Sequence, residues 1–162
     1  MQESSESAHV ESSQAGRIDG FLFALSRFGS DPSKHSASTE LLRLSGDDIA
    51  AEYVKHLEKM EIEEPATISI RDFSTESGGY RYLEKTLSTF LQHAMAKPDG
   101  AAPDLDTVRL ATWYVLEYIT WMSDPLGQIF SAKVSINGRE SDCVFIACNE
   151  HFLVIRIHLE EI

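Results

Sequence analysis

The residues of this chain that could do chemistry are two cysteines, six histidines and several short runs of carboxylates. Cys143 and Cys148 close the two ends of the apolar stretch CVFIAC. In a strand, side chains alternate between faces, so this odd offset sends the two thiols to opposite sides. They can neither chelate one metal nor bridge each other while the strand persists. Both read as small buried apolar residues, inert rather than activated. Of the histidines, His9 and His35 fall in tail or loop, and His56 and His93 on the polar sides of separate helices. His151 and His158 share one strand at another odd offset, so they face opposite ways. No pair has H-x-H or H-x-x-x-H spacing, and the sequence predicts neither metal nor cofactor.

Nucleophile and phosphate patterns are missing as well. There is no G-x-S-x-G, no G-x-G-x-x-G and no Walker motif. The glycine pair of ESGGY (76–80) reads as a loop that lets the next helix start. Carboxylates cluster at Asp47 and Asp48 and at Glu61, Glu63 and Glu64. A catalytic carboxylate needs a desolvating neighbourhood, and these runs read as solvated faces. No catalytic residue is expected, and an enzyme with a site of no recognisable motif stays as an alternative.

Charge is the largest global signal: 14 basic residues against 26 acidic, net −12. The excess leans forward, with 13 acids and 6 bases in residues 1–65. Such a surface repels nucleic-acid phosphates and anionic lipid, and steers a basic partner inward. The serine-rich, acidic start MQESSESAHVESSQAG is the opposite of a secretory signal. The most apolar segment, LATWYVLEYITWM (110–122), carries Glu117 and is too short to span a bilayer. A cytoplasmic protein is expected, binding neither nucleic acid nor membrane.

Residues 1–16 read as a disordered tail and residues 17–162 as one α+β domain. Ile18, Phe21, Leu22, Leu25 and Phe28 recur at helical spacing, followed by a loop over 29–38. Residues 39–65 are predicted mostly helical, with Leu41, Leu42 and Leu44 as one turn or a short strand, Ser45 as N-cap and Ile49, Tyr53, Leu57 and Met60 as the apolar stripe. Residues 66–73 alternate as a half-buried strand, and 80–97 form a one-sided helix. Asp104 caps a helix over 105–123 with two apolar stripes. One holds Leu105, Val108, Ala111, Val115, Ile119 and Met122, the other Leu110, Tyr114, Tyr118 and Trp121. A helix apolar nearly all round is expected to be central and buried. A three-stranded meander follows, turning at Asn137–Gly138 and at Asn149–Glu150.

Its middle strand is apolar on both faces. The expected fold is therefore an antiparallel sheet of about four strands packed with about four helices. The 105–123 helix covers one face and the N-terminal helices at least part of the other. A homodimer that buries the second face is the rival to a monomer. At the level of class, the size, the acidity and the lack of a catalytic set make the chain similar to small bacterial toxin-immunity proteins. That resemblance implies an inhibitor that occludes the basic, nucleic-acid-binding cleft of a toxin nuclease. Its acids would be Asp47, Asp48, Glu52, Glu61, Glu63 and Glu64, with Trp113 and Trp121 as buried anchors. The alternative is an acidic secretion chaperone for an effector protein.

Overall fold

The computed structural model describes residues 2–28, 35–46, 48–60, 67–72, 76–97, 99–122, 129–136, 138–148 and 150–160, with the backbone alone for 2–11, 26–28, 67–72 and 76–79. Four helices and five strands follow in the order α1 (Gln2–Phe28), β1 (His35–Arg43), α2 (Ile49–Lys59), β2 (Thr67–Asp72), α3 (Glu76–Ala94), α4 (Leu105–Met122), β3 (Ile129–Ile136), β4 (Arg139–Cys148) and β5 (His151–Leu159). The strands make one antiparallel sheet in the order β1-β5-β4-β3-β2. The α+β class and the C-terminal meander are as the sequence predicts. The β3–β4 ladder closes at Ile136↔Arg139, next to Gly138 at φ +75°. That left-handed backbone is the reason glycine follows the asparagine in this hairpin. Asn137 and Asn149 lie outside the described residues.

The main correction is β1. The sequence assigns 29–38 to a loop and 39–65 mostly to helix, yet His35–Arg43 is a strand paired with the whole of β5, from His35↔Leu159 to Arg43↔His151. Its alternation is built from small and polar residues (Ser36, Ala37, Ser38, Thr39), which give little hydrophobic period. The adjacent Leu41 and Leu42 then mimic a helical turn. As an edge strand, β1 exposes backbone donors, and one is met by α1: the Thr39 amide donates to Asp19 Oδ1 at 2.8 Å.

Other boundaries move for local reasons. Asp48, not Ser45, caps α2. Its Oδ1 accepts from the Ala51 amide at 3.1 Å, while the Ser45 hydroxyl donates to Glu52 Oε1 at 2.8 Å. The α3 helix starts at Glu76, so the 78–79 glycine pair lies in its first turns rather than in a preceding loop. Asp104 does cap α4: Oδ2 accepts from the Thr107 amide at 3.2 Å and hydroxyl at 2.8 Å. Those two bonds hold the Asp104 carboxyl below the usual carboxylate range. The α1 helix includes residues 2–16, read from the sequence as a tail. Its first described buried residue is Ala15.

The connections explain the layers. Chain leaving β1 at one edge crosses one face of the sheet as α2 and enters β2 at the opposite edge. It then crosses the other face as α3 and α4 before the meander. On that second face α1, α3 and α4 pack together. Ile18, Leu22, Leu83, Leu87, Phe90, Leu91, Val115 and Ile119 meet Val144, Ile146, Leu153, Ile155 and Ile157 of the sheet. On the first face α2 is the sole helix among the described residues. It sets Tyr53 and Leu57 on Ala132, Val134, Cys143, Phe145, Phe152 and Val154. Strand β4 is buried on both faces, as its sequence requires, and the two cysteines fall on opposite sides, Cys143 under α2 and Cys148 in the three-helix core. The sequence distributes the helices between the faces; in the structure α1 joins α3 and α4, leaving α2 alone opposite.

Candidate protein-docking face

Helix α4 is not central. Its first stripe is buried as expected (Val108, Val115, Ile119, Met122), apart from Leu105 at the helix start, which is exposed. The second stripe faces outward except at Tyr118, which is half-buried against the core: Leu110 is 65% exposed, Trp121 55% and Tyr114 41%, and Trp113, outside both stripes, is 57% exposed. Three helices on one face of the sheet form a layer, and among the described residues no element packs on its outer side. At 1.5 Å rise per residue, Leu110 to Trp121 extends over about 16 Å. Phe23 of α1 is 60% exposed as well.

This face is held in shape by ring contacts. Phe21 of α1 packs on Tyr114 at a centroid distance of 4.9 Å. Tyr114 meets Tyr118 edge-on at 4.8 Å, and Tyr118 meets Trp121 at 5.3 Å. Such edge-to-face pairs fix ring orientation beyond simple area burial. Arg17 of α1 lies 5.7 Å from the Tyr118 ring centre and its Nη1 donates to the Tyr118 hydroxyl at 3.5 Å. The bond between the two tyrosine hydroxyls raises the pKa of Tyr114 and, together with Arg17, lowers that of Tyr118. The aromatic strip is thus a set of rings oriented before any partner arrives, which reduces the ordering cost of binding.

The remaining predicted partner residues do not join it. Asp48 and Glu52 belong to α2, on the opposite side of the sheet from α4. Asp48 is spent on the cap. Glu52 is half-buried, accepts from Ser45 and lies 3.7 Å from Lys55 Nζ, so its charge is largely met within its own helix. Asp47, Glu61, Glu63 and Glu64 lie outside the described residues. The structure therefore brings Trp113 and Trp121 onto one helix face and separates both from Asp48 and Glu52. Leu110, Tyr114 and Phe23 were missed as surface residues. The signal for the first two was the double stripe of α4, read as burial on two sides.

Two concave regions accompany the strip. One is a groove of about 380 Å³ between α3 and α4, lined by Arg81, Lys85, Arg109, Glu84, Leu105 and Trp113 among others. Arg109 there is already 3.7 Å from Asp106. The second, of about 250 Å³, lies on the sheet face that carries α2. Among the described residues no three His, Cys, Asp or Glu side chains converge as a metal site, and no helix is long and apolar enough to cross a membrane. Burial pushes the Cys143 thiol up to about 12, which leaves it un-ionised and unreactive near neutral pH. His35, placed in a loop by sequence, is buried in β1 and meets Phe90 edge-on at 6.4 Å. No known protein family matches the chain, and no curated protein matches it.

Proposed function

We propose that this protein works by binding another protein, with the outer face of α4 as its docking surface. The observation that carries the reading is the row of Leu110, Trp113, Tyr114 and Trp121, all more than a third exposed on one helix. Exposed apolar side chains scattered singly are ordinary, but four large ones on one helix face, with Glu117 the acidic residue among them, are the pattern of an interaction site. Tryptophan and tyrosine are also the residues that most often dominate an interface energetically.

The finer reading is an inhibitor of the immunity type, acting by occlusion of a basic toxin. Its support is the net charge of −12, which accelerates encounter with a cationic partner while the aromatic anchors supply residence time. Asp48 and Glu52, on the far side of the sheet from α4, act in this scheme through the field rather than through contact. Co-expression with the product of the adjacent gene tests the proposal. Wild-type chain should restore growth, and a Trp113→Ala/Trp121→Ala variant that still melts like wild type should not. Protection by the folded double variant equal to wild type overturns the α4 assignment. Light scattering that shows a homodimer broken by the same variant assigns the face to a second copy instead.

A further inference from the structure

The sheet face that carries α2 is only partly covered by it. Beyond the helix, the alternation of three strands sends a different set of residues to the same face. Strand β1 contributes Ser36 and Ser38, β4 contributes Arg139 and Ser141, and β5 contributes Arg156 and His158. The register makes them neighbours: Ser36 pairs with His158, Ser38 with Arg156, and Val134 and Ile136 with Ser141 and Arg139. Directly opposed side chains in an antiparallel pair stand about 4.5–5.5 Å apart. Together with Ile136 these side chains line the pocket of about 250 Å³.

The charge there runs against the rest of the molecule. Two arginines and three serines line one pocket in a chain of net −12. The two carboxylates of β4 are directed elsewhere. Within RESD (139–142), Glu140 and Asp142 alternate to the opposite face, where Lys133 Nζ holds both at 3.2 Å. Glu40, which shares the face, is engaged by His56 of α2 at 3.4 Å, and neither it nor Glu160 lines the pocket. Among the described residues no ion pair neutralises Arg139 or Arg156. Arg156 lies opposite Cys143 and Ser38, and Arg139 opposite Ile136, so neither guanidinium stands directly across from a carboxylate in the register. His158 adds a fixed edge: its Nδ1 donates to the Glu140 carbonyl at 2.8 Å, leaving Nε2 as the other polar atom of the ring.

We propose that this pocket binds a small phosphate-bearing ligand, with Arg139 and Arg156 on the phosphoryl oxygens and Ser36, Ser38 and Ser141 as hydroxyl donors. Planar guanidinium forks match the oxygen spacing of a phosphoryl group and give bidentate, charge-assisted bonds. Hydroxyls complete a tetrahedral anion without adding charge. Drug-sized ligands occupy roughly 300–1,000 Å³, so the volume suits a phosphate with few further atoms. The residues sit on strands of one sheet, whose ladders fix their backbones in register. It shares no residue with the α4 face, and its outcome is independent of the docking proposal.

The test is a titration of the full chain with inorganic phosphate, followed by backbone amide shifts at constant ionic strength, with acetate and phenyl phosphate as second and third probes. Saturable shifts confined to 36–38, 139–141 and 156–158 are expected, at least tenfold weaker for acetate. Arg156→Gln should weaken binding at least tenfold, and Arg139→Gln/Arg156→Gln should abolish it while the melting curve stays cooperative. Ser38→Ala serves as a milder variant, expected to weaken binding several-fold in a pocket of unchanged charge. Tighter binding of phenyl phosphate than of phosphate assigns the site to a phosphate ester, and equal binding to free phosphate. Shifts that fail to saturate, that acetate reproduces, or that survive in the double arginine variant overturn the proposal.

Discussion

The two faces of the sheet are made from the same five strands and are finished differently. One carries three helices and a core of aliphatic side chains with Phe90. The other carries α2, a smaller core with Tyr53 and Cys143 in it, and an open half lined by serines and arginines. Four helices are enough material for two layers, yet they are divided three to one. Both unusual surfaces follow from that division. Surplus cover pushes the second apolar stripe of α4 outward. A deficit on the far side leaves sheet exposed, and there the strands alternate to polar residues. Neither surface is a property of one element alone; each is what remains after the layers are assigned.

The largest test of this asymmetry is a pair of truncations. Phe90→Ala removes a fully buried ring from the three-helix core and is expected to cost about 3–5 kcal/mol, enough to threaten folding of a chain this size. Leu57→Ala, also fully buried, should cost less, about 2–3 kcal/mol, because α2 has one layer beneath it and can shift toward the gap. Urea denaturation measures both. Hydrogen exchange should show the α2 amides opening locally in Leu57→Ala while those of α3 and α4 stay protected. Equal costs with uniform loss of protection would mean that the two faces unfold as one unit and are not distinct in stability.

How much of this could be read beforehand differs by face. The three-helix core was legible, because Leu83, Leu87, Phe90 and Leu91 carry a strong helical period and β4 and β5 hold short unbroken apolar runs bounded by turn residues. β1 was not, since a strand that opens on Ser36, Ala37, Ser38 and Thr39 declares itself only through the partner that β5 offers. The fate of the α4 stripes was half legible. Periodicity shows that two sides are apolar; it carries no information on how many neighbours exist to cover them. The polar pocket follows the same logic. RESD, HSAS and IRIH each alternate in the sequence, but only the register β1-β5-β4 reveals that their charged and hydroxyl halves meet.

An intermediate effect is expected on the α2 side at high pH. Burial is the main reason the Cys143 thiol is pushed up to about 12, and Arg156 opposes it only in part. The Tyr53 phenol, against that thiol, is raised above its ordinary value for the same reason. In the unfolded chain a thiol loses its proton near pH 8.5. Between that pH and about 12 the unfolded state binds fewer protons than the native one, so stability falls as pH rises. The stabilising share of Cys143 is complete below pH 8.5, declines by about 1.4 kcal/mol per pH unit at most, and is gone above about 12. Melting temperatures from pH 7 to 11 should drop more slowly in Cys143→Ala than in wild type once referred to each protein's own value at pH 7. Parallel curves would show that the thiol ionises in the native state and that α2 does not seal its face.

The smallest expected effect on stability is the most informative for function. Trp113 and Trp121 are each more than half exposed, so removing either ring takes little apolar area out of contact with protein. Substitutions at such positions change stability by within about 0.5 kcal/mol. Trp121→Ala should sit at the upper end, because it loses the edge-on contact with Tyr118 at 5.3 Å. No ring contact of that kind is found for Trp113 among the described residues, so Trp113→Ala should be closer to zero. Truncating an interface anchor costs about 2 kcal/mol or more in binding, several times the effect on folding. Chemical denaturation of the two variants decides whether α4 is an outer surface. A loss of 3 kcal/mol at Trp113 would place that ring in a core and remove the basis for a docking face, whereas a silent stability profile leaves these side chains with no structural reason to be large, apolar and outside.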